Sequence, residues 1–272
     1  MLYAVSTIIA AMYAPVLYKL FHLKLYLEEY SHGPLIFLVF FWLIWREKEV
    51  AESPVDDNLH VPALMILLFG LLLYWIGVKH HAIVVSTASM PFIIIGAYAF
   101  LLGKPAGKWI FPASYLIFTV PLPNFLVDMI TFPLKRFVSL SATSILKVLH
   151  YPVIRKGVLL TIGDYKLLVA DACSGMRSII SLLALISLYV YLQKARLSRS
   201  AIVLLSIIPI AVVANTIRVT ILALITYHLG EAAGQSYYHD LSGFLVFFIA
   251  LACIITVDKL SKSLLEFKGG KI

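Results

Sequence analysis

Three residues in this chain carry side chains that could do covalent chemistry: Cys173, Arg218 and His239. Cys173 stands in Ala172-Cys173-Ser174-Gly175-Met176-Arg177-Ser178, at the start of an apolar run. A helix N-terminus and a nearby Arg177 both lower a thiol pKa and favour the nucleophilic thiolate. Ser174 can cap such a helix and Gly175 permits close backbone approach, while Asp171 would oppose the thiolate or orient a partner. Arg218 interrupts an apolar run, in Asn215-Thr216-Ile217-Arg218-Val219. An arginine inside a membrane span costs about 2.5 kcal/mol or more, so it marks either a functional position or a structural ion pair. Asn215, one turn earlier on the same helix face, could hold the guanidinium or bond a neighbouring helix. His239 precedes the last apolar run, in Tyr238-His239-Asp240-Leu241-Ser242-Gly243. Each signal is weak alone, since a single cysteine is most often a small apolar filler and a single histidine near a helix start most often a surface residue. The other histidines, among them His22, His32, His80, His81 and His228, show no paired spacing on one face. No metal site is expected, and no cofactor.

What must position these residues is a membrane bundle. The 272 residues are 61% hydrophobic and 13% charged, against about 25% charged in soluble domains; mean hydropathy is +0.95. A chain with so few charges cannot cover a surface in water. The expected class is therefore an all-α polytopic membrane protein forming a single domain over 1–272. Eight candidate spans lie at 3–18, 34–45, 61–78, 82–102, 109–120, 174–192, 201–228 and 241–257, judged against the ~20 apolar residues that a crossing needs. The second and fifth are short, and either extend into their flanks or are re-entrant. The first run has no basic region or cleavage signal and reads as a retained helix. The net charge of +8 sits in short clusters between apolar runs, so it speaks for topology and not for a nucleic-acid partner. Cys253 lies deep in the last run, far in depth from Cys173, so no disulfide is expected.

Lys and Arg set the orientation. Segments 46–60, 103–108, 193–200 and 258–272 hold 11 of them, and segments 19–33, 79–81 and 229–240 hold 3. The first group then faces the cytoplasm, with both termini inside. Cys173 and His239 fall at the outer face, and Arg218, about 15 Å from the outer end of its helix, can snorkel toward them. Segment 121–171 falls on the outer side despite six basic residues. Its first part, Phe125 through Val138, has helical apolar spacing with charges between and is expected to lie on the membrane as an amphipathic segment. Its last part, 151–171, has β-branched residues about a Gly163-Asp164 turn signal and reads as a short β-hairpin on the outer face.

Taken in order, the block Ala172–Ser178, the block Asn215–Arg218, and His239 with Gly243 resemble the signature blocks of the exosortase/archaeosortase family. Ser31-His32-Gly33, Phe111-Pro112 and Pro121-Leu122-Pro123 fit the same resemblance, which covers nearly the whole chain and looks closest to the exosortase B branch. The resemblance implies a bacterial inner-membrane, multi-pass enzyme with its active site on the periplasmic side. It implies partners that are secreted proteins with a C-terminal sorting signal of the PEP-CTERM type: a short Pro-Glu-Pro-type motif, an apolar span and a basic tail. It maps the catalytic Cys, Arg and His onto Cys173, Arg218 and His239, in a cysteine transpeptidase or peptidase working through a thioester. The competing expectation from composition is a transporter or lipid flippase with an intramembrane Arg, though such proteins usually show repeats or broken helices near the midplane. A third is a hydrolase using the same residues with water as acceptor.

Overall fold

The computed structural model describes residues 1–22, 32–48, 60–168, 175–230 and 237–269, without the side chains of 124, 130, 168, 175–178, 237–240 and 264–269. Two compact units divide at Pro123: Met1–Pro123 and Asn124–Ile272. Among the described residues, five helices are long and apolar enough to cross a membrane.

The first unit holds α1 (Leu2–His22), α2 (Gly33–Arg46), α3 (His60–Lys79), α4 (Ile83–Leu102) and the short α5 (Ile110–Tyr115). Its firmest pairing is α3 against α4. Glycines permit it: a Cβ at Gly77 would stand 2.4 Å from the Ser86 nitrogen, and one at Gly96 would stand 2.5 Å from the Leu67 nitrogen. Lipid offers no hydrophobic drive to join helices, so small residues that let backbones approach supply dispersion contact instead. Polar contacts tie in α1. Tyr13 and Ser89 share a buried hydroxyl–hydroxyl bond, Tyr74 donates to the Met12 carbonyl at 2.6 Å, and the Tyr13 and Tyr74 rings meet edge to face.

The fifth expected span, 109–120, is not one helix. The chain makes a 3-10 turn at Lys104–Trp109, then α5, then another 3-10 turn at Leu116–Thr119. The sequence supplies the reason, with Pro105, Gly107, Pro112, Pro121 and Pro123 within or beside the ten residues 110–119. Ten residues rise about 15–20 Å, short of the ~30 Å hydrocarbon core. Helix α2, at 14 residues, is likewise shorter than a full crossing. Among the described residues, seven of the eight expected spans thus fall on helices, five of them long and apolar enough to cross, and the remaining one falls on this broken segment.

The second unit carries the sheet and the site. It holds α6 (Asn124–Val148), β1 (Val153–Lys156), β2 (Leu159–Ile162), β3 (Tyr165–Leu168), α7 (Gly175–Leu192), α8 (Leu197–Leu229) and α9 (Tyr237–Gly269). Instead of one hairpin there are two, joined as an antiparallel meander in the order β1-β2-β3. The Gly163-Asp164 turn is there as expected. A second two-residue turn, Gly157-Val158, divides what read as one strand. Both glycines have positive φ, +65° and +57°, and the residues after them do not, the pattern of II′ hairpin turns.

One sheet face is apolar. Cross-strand partners Val153 and Ile162, and Leu160 and Leu167, are buried with Val138, Ala142 and Leu146 of α6 and Val219, Leu222 and Ala223 of α8. The expected amphipathic segment is therefore helical, with one face under the sheet and Phe125, Met129, Phe132 and Leu140 exposed. Ser139 on α6 donates to the Gly157 carbonyl at 3.1 Å, fixing the first turn. The second turn rests on α8, where a Cβ at Gly163 would meet the Tyr227 ring at 3.1 Å. Beside it, Tyr151 hydrogen-bonds His228 at 3.0 Å. The sheet is thereby held over the C-terminal end of α8.

Helices α7, α8 and α9 share a second core, from Leu182, Ile186 and Val190 through Val203, Ile207 and Ala214 to Ala250 and Ile254. At one end of it lies an ionic group built around a buried carboxylate. Asp258, 2% exposed, accepts from Arg199 Nε at 2.6 Å and Nη2 in a two-pronged pair, and from Tyr189 Oη at 2.7 Å. This joins all three helices, and Asp258 is drawn into α9, which continues past the expected end of the last span to Gly269.

Candidate functional site

Nineteen residues farther along α8 than Arg199 stands Arg218, about 28 Å away by helical rise. It lines a small cavity of about 30 Å³ between α7, α8 and α9. The walls follow helical periodicity. Ala211, Ala214, Asn215 and Arg218 come from one face of α8; Gly243, Val246, Phe247 and Ala250 come from one face of α9; Ile179 comes from the first turns of α7. An i, i+3, i+4, i+7 pattern on both long helices is what two facing stripes require. Small residues on those stripes leave the space, and Arg218 and Asn215 make it partly polar. A pocket of this size and polarity can hold a water molecule.

The guanidinium of Arg218 lies against α9. Its Nε donates to Ser242 Oγ at 3.3 Å, and Ser242 is only 8% exposed. The fork rests on Gly243, where a Cβ would stand 3.2 Å from Nη2 and 3.5 Å from Cζ. Position 239 is in the first turn of α9, three residues before Ser242 and four before Gly243. Residues at those separations share one helix face. The backbone thus sets position 239 one turn from the seat of the guanidinium.

Cys173, Ser174 and Asp171 lie outside the described residues, as do the side chains of Arg177 and His239. Helix α7 begins at Gly175, two residues after Cys173. Its residue Ile179, one turn in, already lines the cavity. The start of α7, the Arg218 level of α8 and the second turn of α9 therefore converge on one place. Arg218 and Asn215 are together on its wall, as their spacing implied. Cys253 lies on α9 one turn past Ala250 and is exposed, and it is not among the residues that line the cavity. Among the described residues no cluster of His, Cys, Asp and Glu could hold a metal ion.

The order of these parts along the chain matches a known family. The profile of the transmembrane exosortases fits residues 26–256. The chain belongs to that family. Membership implies a multi-pass membrane peptidase or transpeptidase that sorts secreted proteins, and sets aside the transporter reading. No curated protein and no solved structure matches the chain.

Sequence reasoning passed over two features of this exosortase. Ser242 was only a letter beside a histidine, Gly243 stood out only through the family resemblance, and the Arg199–Asp258–Tyr189 group was divided between assumed loops and a span. A faint signal existed for each: a Ser-Gly pair one turn after His239, and an Asp just past the end of an apolar run.

Proposed function

We propose that this exosortase is a cysteine transpeptidase or peptidase that cuts PEP-CTERM-type sorting signals from secreted proteins, with Cys173, Arg218 and His239 as its catalytic residues. The observation that carries the reading is the seating of Arg218 in a partly polar cavity, one helical turn from position 239 and at the start of the helix that follows Cys173.

In this mechanism the Cys173 thiolate attacks a backbone carbonyl carbon of the sorting motif, and a C–S bond forms. The carbonyl oxygen becomes an oxyanion, which the Arg218 guanidinium stabilises in a low-dielectric site where charge counts for more. His239 gives a proton to the departing amine as the C–N bond breaks, leaving a thioester. It then takes a proton from the incoming acceptor, which displaces the thiolate. Asn215 shares the cavity wall with Arg218 and orients it. Arg177 and Ser174 favour the thiolate at the start of α7, and Asp171 orients a partner.

The active site faces the periplasm across a bacterial inner membrane, as the loop charges direct. Both units act as one domain of the exosortase B type, and the exposed face of α6 meets membrane lipid. The test is processing of a secreted substrate bearing the motif, apolar span and basic tail. Cys173→Ala should abolish cleavage at matched enzyme levels. Cleavage at a normal rate by that variant would remove the cysteine mechanism.

A further inference from the structure

We infer that Ser242 is a positioning residue for Arg218, holding the guanidinium in a seat completed by Gly243. The inference rests on the catalytic reading of Arg218 and adds the part of α9 that aims it. Arginine has a long side chain with much rotamer freedom, and losing that freedom during the reaction would slow it. A guanidinium that must meet a developing oxyanion needs its plane fixed beforehand. Contacts with Ser242 and Gly243 hold it here. Nε donates to Ser242 Oγ at 3.3 Å, which restrains one edge of the plane. Gly243 lets the flat group lie close on the helix, with the would-be Cβ position 3.2 Å from Nη2 and 3.9 Å from Nη1. Both residues sit one turn past position 239 on the same helix face. A single rigid element, α9, would then set the spacing between the proton-transfer group and the oxyanion-binding group. Ser242 is nearly buried at 8% exposure, so its hydroxyl bonds to Arg218 in a site where water competes little.

The experiment compares Ser242→Ala, Ser242→Thr and Arg218→Ala, purified in detergent and assayed on a signal-bearing substrate, with rates taken per folded enzyme. Ser242→Ala should lower kcat about tenfold with KM nearly unchanged, the scale of one lost hydrogen bond to a charged group. Ser242→Thr keeps the hydroxyl and should return kcat to within about threefold. Thermal stability of both should stay close to the parent. An unchanged kcat for Ser242→Ala would overturn the inference, as would equal loss in the Ala and Thr variants. A loss confined to the amount of folded protein would overturn it too, since that is what a structural serine does. Arg218→Ala separates the two layers: if it cleaves normally, the catalytic reading of Arg218 falls, whatever Ser242 does.

Discussion

Replacing Arg218 with lysine keeps the charge and removes the geometry. The arginine meets α9 with Nε on Ser242 and with Cζ and Nη2 over Gly243. A lysine ammonium ends near the level of Nε or Cζ and is a point charge, so it can replace the contact to Ser242 but not the planar fork beyond it. At least one donor to the oxyanion is then lost. Losing one such donor typically costs about 100-fold or more in kcat, or roughly 2.7–4 kcal/mol. Burial further disfavours a charged lysine, whereas arginine stays protonated. The expected result is a fall of about 100-fold or more in kcat with little change in KM. The assay is cleavage of a signal-bearing substrate at matched enzyme levels, with a thermal-stability measurement to show that the bundle is intact. A lysine variant within about fivefold of the parent rate would refute the oxyanion role. It would then leave Arg218 as a charge needed only for packing, with the nucleophile untouched.

Other outcomes follow from the same structure. Asp258→Ala should destabilise the second unit by about 1–3 kcal/mol, because it leaves the partly buried Arg199 without its two-pronged partner and Tyr189 without its acceptor; a melting temperature equal to the parent's would show that the group is not structural. Gly96→Val should lower the yield of folded protein, since even a Cβ there would stand 2.5 Å from the Leu67 backbone nitrogen and overpacking costs about 1–3 kcal/mol; normal yield and melting would mean that α3 and α4 can part without penalty. Single cysteines placed within 229–240, in a background retaining Cys173 only where activity is read, should react with an impermeant maleimide from the periplasmic side. Reaction only from the cytoplasm would reverse the orientation assigned to the site.

The sequence by itself determined the class. Its scarcity of charge and its long apolar runs demand helices in lipid, because a backbone there must satisfy its own hydrogen bonds. It also determined where the sheet begins and one of its turns, since Gly163-Asp164 is a local signal. Arg218 stood out because a lone charge in an apolar run is costly wherever it points. Asn215 followed from helical spacing alone. The tertiary structure decided what those local rules do not encode. Ser139 of α6 holds the turn at Gly157-Val158 that divides the first strand. The partners of Arg218 and Arg199 lie 24 and 59 residues away along the chain. No periodicity within one helix can name the residue on another that meets it. That choice is made when α7, α8 and α9 pack, and it places Ser242 and Gly243 under one arginine and Asp258 against the other.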